Sequence, residues 1–128
     1  MSTLVSVIIP AYQEAATIGA TVRSISTALS RLDGISHEVI VVDDGSSDGT
    51  SAEAATAGAR VLTLPRNRGK GHALTTGFAQ ARGQLLMMLD ADTGESAAAA
   101  ALLLEPVLAG AADMTVGVLP VPVGHRGG

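Results

Sequence analysis

Apolar positions follow two alternating rhythms along this chain. Leu4–Pro10 reads Leu-Val-Ser-Val-Ile-Ile-Pro, a β-branched run closed by a proline. Such a run predicts a strand covered on both faces. Ile18, Val22, Ile25, Leu29 and Leu32 then recur at steps of four and three, the apolar stripe of an amphipathic helix. Asp33-Gly34 stops it. His37–Val42 is a second strand pattern that closes on Asp43-Asp44-Gly45. A short Ala-rich helix is expected to run to Ala57, with Gly58 as its stop, and Arg60–Leu64 as a third strand. Pro65–Gly71 reads as a loop and His72–Ala81 as a helix stopped by Gly83. Leu85–Leu89 is a fourth apolar strand, buried by its composition. Ser96–Leu108 predicts an Ala/Leu helix with Ser96 as N-cap, and Met114–Leu119 a fifth strand. The chain thus divides into a domain over residues 1–119 and a loose Pro/Gly tail over 120–128.

Strands alternating with helices predict an α/β fold, a mainly parallel sheet with helices on both faces. In such sheets ligands sit at the carboxyl ends of the strands. Here those ends carry Pro10-Ala11-Tyr12-Gln13-Glu14, Asp43-Asp44-Gly45-Ser46 and Asp90-Ala91-Asp92. They hold five of the twelve acidic residues of the chain.

Composition narrows the chemistry. At 128 residues the chain is one domain at most. With one Tyr, one Phe and no Trp, the core must be aliphatic. A net charge of −4 argues against a nucleic-acid partner, which requires a basic face. Without Cys there is no disulfide framework, thiolate metal site or Cys nucleophile. No basic-then-apolar leader opens the sequence, and no apolar run reaches the roughly 18 residues of a membrane span. A cytoplasmic chain is expected, peripheral to a membrane only through an acceptor or further segments.

Asp90 and Asp92 are the sharpest candidates. Two carboxylates at the end of an apolar strand repel each other and add nothing to stability. Alternate residues of an extended chain point the same way, so the pair is expected to face one ion. Hard oxygen ligands suit Mg²⁺ or Mn²⁺. Asp48, before Gly49-Thr50, is better explained as a turn or cap residue. Arg66-Asn67-Arg68-Gly69-Lys70-Gly71 offers cations and Gly-rich backbone to an anion, with Arg66 and Arg68 individually ordinary solvated residues. It is no P-loop, since Gly71 and not Ser or Thr follows Lys70. The glycines of a dinucleotide fingerprint are missing after the first strand, which disfavours a dinucleotide-dependent oxidoreductase. His37, His72 and His125 are scattered and read as incidental.

Four blocks together carry a resemblance: Val7–Glu14, Val41–Thr50, Asn67–Gly71 and Leu89–Asp92. In order and spacing they resemble glycosyltransferase family 2, in its dolichyl-phosphate-mannose-synthase-like branch. The resemblance implies the N-terminal, nucleotide-binding half of a GT-A fold. It implies a metal-dependent, inverting transfer of a sugar from a nucleoside-diphosphate sugar, with Mg²⁺ or Mn²⁺ as cofactor. The acceptor would be a lipid phosphate, a saccharide or a small molecule.

Residue by residue, the resemblance places Pro10, Tyr12 and Glu14 in the nucleotide pocket. Val42 and Asp44 would meet the base and ribose, and Lys70 the phosphates. Asp90, Ala91 and Asp92 would hold the ribose and the metal, with Asp90 and Asp92 as the metal pair. Gln13 stands where the family often has Asn, and Gly94 where a polar residue often follows the aspartates. The family's catalytic domain is longer than this chain, and its acceptor base is expected outside it. Glu95 is read as charge at a helix start. The alternative is a nucleotide-sugar-binding fragment without transfer activity on its own, with an exposed strand edge that favours self-association.

Overall fold

The computed structural model describes residues 2–104. Their elements run β1 (Thr3–Ala11), α1 (Ile18–Ser30), β2 (Ile35–Asp43), α2 (Thr50–Thr56), β3 (Arg60–Thr63), α3 (Lys70–Gln80), β4 (Leu85–Met88) and a 3-10 segment, Gly94–Leu104. The expected fifth strand, Met114–Leu119, and the tail 120–128 lie outside the described residues.

All four strands are parallel and lie in the order β3-β2-β1-β4. The chain steps outward from β1 to β2 to β3, then returns to the far side of β1. The β1/β4 boundary is therefore a switch point, where loops from adjacent strands diverge and leave a crevice. Registers such as Ala11↔Asp43 and Ile8↔Met88 bring the carboxyl ends of these strands to one rim.

The β1 and β2 runs are apolar at every step because both faces are covered. Val5, Val7, Ile9, Val39 and Val41 pack with Ile18, Val22, Ile25 and Leu29 of α1. Ile8, Ile40 and Val42 pack on the other side with Ala73 of α3. Gly77 lets α3 approach closely: a Cβ there would lie 2.5 Å from Ile8 Cγ2 and 3.1 Å from Val42 Cγ2. β4 is less buried than its composition predicts. It borders β1 alone among the described residues, so Leu86 is 39% exposed while Met87 is fully buried.

The expected Ala/Leu helix from Ser96 is, over its described part, a 3-10 segment beginning at Gly94. In that tight winding side chains three apart eclipse one another, which alanines tolerate best. Ala97, Ala100, Ala101 and Leu104 bury against the α1 side of the core. Ser96 caps nothing as an N-cap; its hydroxyl donates to the Thr93 carbonyl at 2.6 Å.

In the amino-terminal half of the sheet, a small polar staple fixes the link from α3 to β4. The fully buried Ser6 hydroxyl donates to Glu38 Oε2 at 2.6 Å and accepts from the Gly83 N–H at 2.8 Å. The Arg82 N–H also donates to Glu38 Oε2, at 2.8 Å. Among the described residues, no helix is long and apolar enough to cross a membrane.

Candidate functional site

The crevice at the switch point holds a cavity of about 340 Å³, lined by Pro10, Ala11, Tyr12, Glu14, Asp44, Asn67, Gly69, Lys70, Ala73, Asp90, Ala91 and Asp92. The structure thus brings together Pro10, Tyr12, Glu14, Asp44, Lys70, Asp90, Ala91 and Asp92 from four separate segments. Val42 is placed elsewhere. Its side chain is fully buried and packs under α3 with Ile8, Ile40 and Ala73, one step deeper along the same strand face as Asp44. It does not line the cavity, and the contact with a base expected of it is not one its side chain makes from this position.

The rim is built by loops that brace one another. Gln13 adopts φ 56°, a left-handed backbone that side chains with a Cβ rarely take. Its side-chain oxygen accepts from the Ser47 N–H at 2.6 Å, and its own N–H donates to Ser46 Oγ at 2.8 Å. The next two amides donate to Thr50 Oγ1 at 2.9 Å and to Asp48 Oδ2 at 3.2 Å. This turn sets Tyr12, 48% exposed, and Glu14 on the cavity wall.

The adjacent aspartates divide their roles because strand residues alternate. Asp43 faces the α2 side, where it accepts from the Ser46 N–H at 2.9 Å and the Ser51 hydroxyl at 2.6 Å. Asp44 faces the cavity. Although 3% exposed, it accepts from Asn67 Nδ2 at 3.0 Å, the Arg68 N–H at 2.9 Å and the Gly69 N–H at 2.8 Å. A buried carboxylate requires such donors, and here they fold the Asn67–Gly69 loop over the rim. Gly45 has φ 82°, and a Cβ on it would come within 2.6 Å of Arg66 Cα, so this loop can pass only a glycine. Asp48 behaves as its sequence context suggests: it accepts from the Thr50 N–H at 3.0 Å and from the Thr50 hydroxyl.

Asp90 and Asp92 do reach the same cavity, but not along an extended strand. β4 ends at Met88, and Ala91-Asp92 form a turn. The Thr93 hydroxyl donates back to the Asp90 carbonyl at 3.0 Å. Two residues outside the sequence expectations hold this turn. Thr21 Oγ1 and Thr17 Oγ1 donate to the Ala91 carbonyl at 2.8 and 3.2 Å, and the Gly94 N–H donates to Thr21 Oγ1 at 2.8 Å. Thr21 sits inside the buried α1 stripe. A hydroxyl among Ile18, Val22 and Ile25 was its signal in the sequence.

Among the described residues the cavity's charge is lopsided: four carboxylates, Glu14, Asp44, Asp90 and Asp92, face one ammonium, Lys70. Lys70 Nζ pairs with Asp90 Oδ1 at 2.8 Å. Burial raises the Glu14 pKa above its ordinary value; a hydrogen bond from Thr17 opposes this, and the charges of Asp92, Asp48 and Asp90 add to it. Among the described residues, no group of three His, Cys, Asp or Glu is placed to cage a metal. The donor set is two hard carboxylates on a turn. That fits Mg²⁺ or Mn²⁺ held by one or two carboxylates together with phosphate oxygens of a ligand.

Comparison with known proteins bears on the family and the fold. The profile described as glycosyl transferase family 2 matches residues 6–127. Glucosyl-3-phosphoglycerate synthase of Mycolicibacterium paratuberculosis is 40% identical over 95 residues, which are 69% of this chain and 28% of that protein. Undecaprenyl-phosphate 4-deoxy-4-formamido-L-arabinose transferase of Aeromonas hydrophila is 40% identical over 95 residues, 70% of this chain and 29% of that protein. The crystal structure of Mycobacterium tuberculosis glucosyl-3-phosphoglycerate synthase with Mn²⁺, uridine diphosphate and phosphoglyceric acid superposes with a TM-score of 0.70 at 34% identity. It covers 83% of this chain and 39% of that one. The chain thus spans under a third of the length of these curated relatives.

Proposed function

Because this chain belongs to glycosyl transferase family 2, we propose that its cavity binds the donor of a sugar transfer. The donor is a nucleoside-diphosphate sugar, and the reaction is metal-dependent and inverting. The observation that carries this reading is the turn bearing Asp90 and Asp92, aimed into a cavity at the β1/β4 switch point. A diphosphate does not enter a cavity of four carboxylates and one ammonium unaided. A divalent cation cancels most of that excess negative charge and offers the diphosphate a direct positive partner.

In this reading Asp92 and Asp90 hold Mg²⁺ or Mn²⁺, which as a Lewis acid stabilises the negative charge that grows on the diphosphate as the anomeric bond breaks. Three of the lone-pair sites of Asp44 are taken by the Asn67–Gly69 loop, and the one left on Oδ1 is what it offers to a donor group on the base or ribose. Tyr12 supplies an exposed ring at the mouth, and Pro10 and Ala11 an apolar floor. The carbonyl of Ala91 is already engaged by Thr17 and Thr21. Ala91 thus meets the ribose through its other atoms. The acceptor and the base that activates it lie outside these residues. Relatives that transfer sugars favour transfer over binding alone as the activity of the whole protein.

Uridine diphosphate is the first nucleotide to try, since the solved mycobacterial neighbour carries it with Mn²⁺. Calorimetric titration of uridine diphosphate is expected to show binding with Mn²⁺ or Mg²⁺ and little in EDTA. Equal affinity in EDTA would overturn the metal-linked donor site.

A further inference from the structure

We propose that Lys70 is the resident counter-ion of the metal turn: it occupies Asp90 in the ligand-free protein and yields it when a divalent cation arrives with a diphosphate. This rests on the donor-site reading above and adds an exchange to it.

The Lys70 ammonium lies 2.8 Å from Asp90 Oδ1, on the carboxylate that a cation would need. Among the described residues it is the one cation lining the cavity. The pair is exchangeable, since the Lys70 side chain is 64% exposed and that of Asp90 42%. Ion pairs in such settings are weak. Lys70 is also the first residue of α3, where the positive end of the helix dipole repels a cation. Its side chain pairs that charge with Asp90.

Two consequences follow for binding. A metal ion alone must compete with a tethered ammonium and then share the turn with it, so it binds at a disadvantage. A diphosphate gives the displaced ammonium a new anionic partner, so metal and diphosphate favour each other's binding. That coupling is reciprocal by thermodynamic necessity.

The test is an electron paramagnetic resonance titration of Mn²⁺, with and without uridine diphosphate, on the wild-type protein, Lys70→Met and Lys70→Arg. Lys70→Met is expected to bind Mn²⁺ alone about two- to fivefold more tightly, the worth of an exposed ion pair. The factor by which uridine diphosphate tightens Mn²⁺ should shrink in the same variant. Lys70→Arg keeps the charge and should match the wild type for Mn²⁺ alone. Unchanged or weaker binding of Mn²⁺ alone by Lys70→Met overturns the exchange and leaves the donor site standing. A wild-type protein in which uridine diphosphate has no effect on Mn²⁺ removes the donor-site reading and the exchange together.

Discussion

Thr21 Oγ1 donates a 2.8 Å hydrogen bond to the carbonyl of Ala91, tying the buried stripe of α1 to the turn that carries Asp90 and Asp92. The same oxygen accepts from the Gly94 N–H, so one hydroxyl grips both ends of the turn. Thr21→Val keeps the shape and removes both bonds, leaving the Gly94 N–H without its acceptor and the Ala91 carbonyl with the Thr17 hydroxyl alone. The expected loss is about 1–3 kcal/mol in urea unfolding, together with weaker Mn²⁺-dependent binding of uridine diphosphate. Thr21→Ser should restore binding. A Thr21→Val protein that binds the nucleotide as tightly as wild type would show that the turn holds its shape without α1.

Gln13 stores strain that its amide offsets. Its φ of 56° carries a cost of about 1–2 kcal/mol for a residue with a Cβ, and its side-chain oxygen accepts from Ser47. Gln13→Ala keeps the strain and loses the bond, whereas Gln13→Gly loses both. Ala is therefore expected to be the less stable of the two by about 1 kcal/mol, against the usual order of these residues. Chemical unfolding of both variants checks the sign. If Ala is the more stable, the left-handed backbone at this position is not a source of strain.

Much of this layout was legible in the sequence because it follows from local pattern. The β1 and β2 runs announce two covered faces, and strand–helix alternation announces a parallel sheet whose carboxyl-end rim carries Glu14, Asp44 and Asp92. Contacts between distant segments were not legible. Asp44 spends its carboxylate on Asn67, Arg68 and Gly69, more than twenty residues away, and no local pattern signals that. Val42 shares a strand face with Asp44, so parity alone cannot tell the pocket from the core; the close approach of α3 at Gly77 decides it. Asp90 and Asp92 converge through a turn braced by two threonines, although the spacing alone suggests an extended strand.

Asp92 and Asp90 differ in what already engages them. Asp90 is paired with Lys70, while Asp92 is exposed and has no ion pair among the described residues. Asp92→Asn keeps the shape and removes a charged hard ligand. The affinity for uridine diphosphate in Mn²⁺ should fall at least about tenfold, while the weak binding in EDTA does not fall, since one repelling charge is gone. A variant that keeps full metal dependence in calorimetry would move the metal off this carboxylate.

Glu38 gives the fold a pH dependence remote from the cavity. Burial alone would raise its pKa, but hydrogen bonds from the Ser6 hydroxyl and the Arg82 N–H, with the charges of Arg60 and Arg82, together hold it below the ordinary value of 4.5. A depressed carboxylate contributes stability that is present above its unfolded pKa and lost as pH falls through the folded one. Glu38→Gln is therefore expected to lower stability by about 1–2 kcal/mol at neutral pH. The gap from wild type should narrow as pH drops below 4.5 and close beneath the depressed pKa. Ser6→Ala should reproduce part of the loss, since the Gly83 N–H then has no acceptor beside it. Urea unfolding across this range provides the measurement. A Glu38→Gln deficit that stays constant with pH would mean that packing, rather than the ionised staple, links α3 to β4.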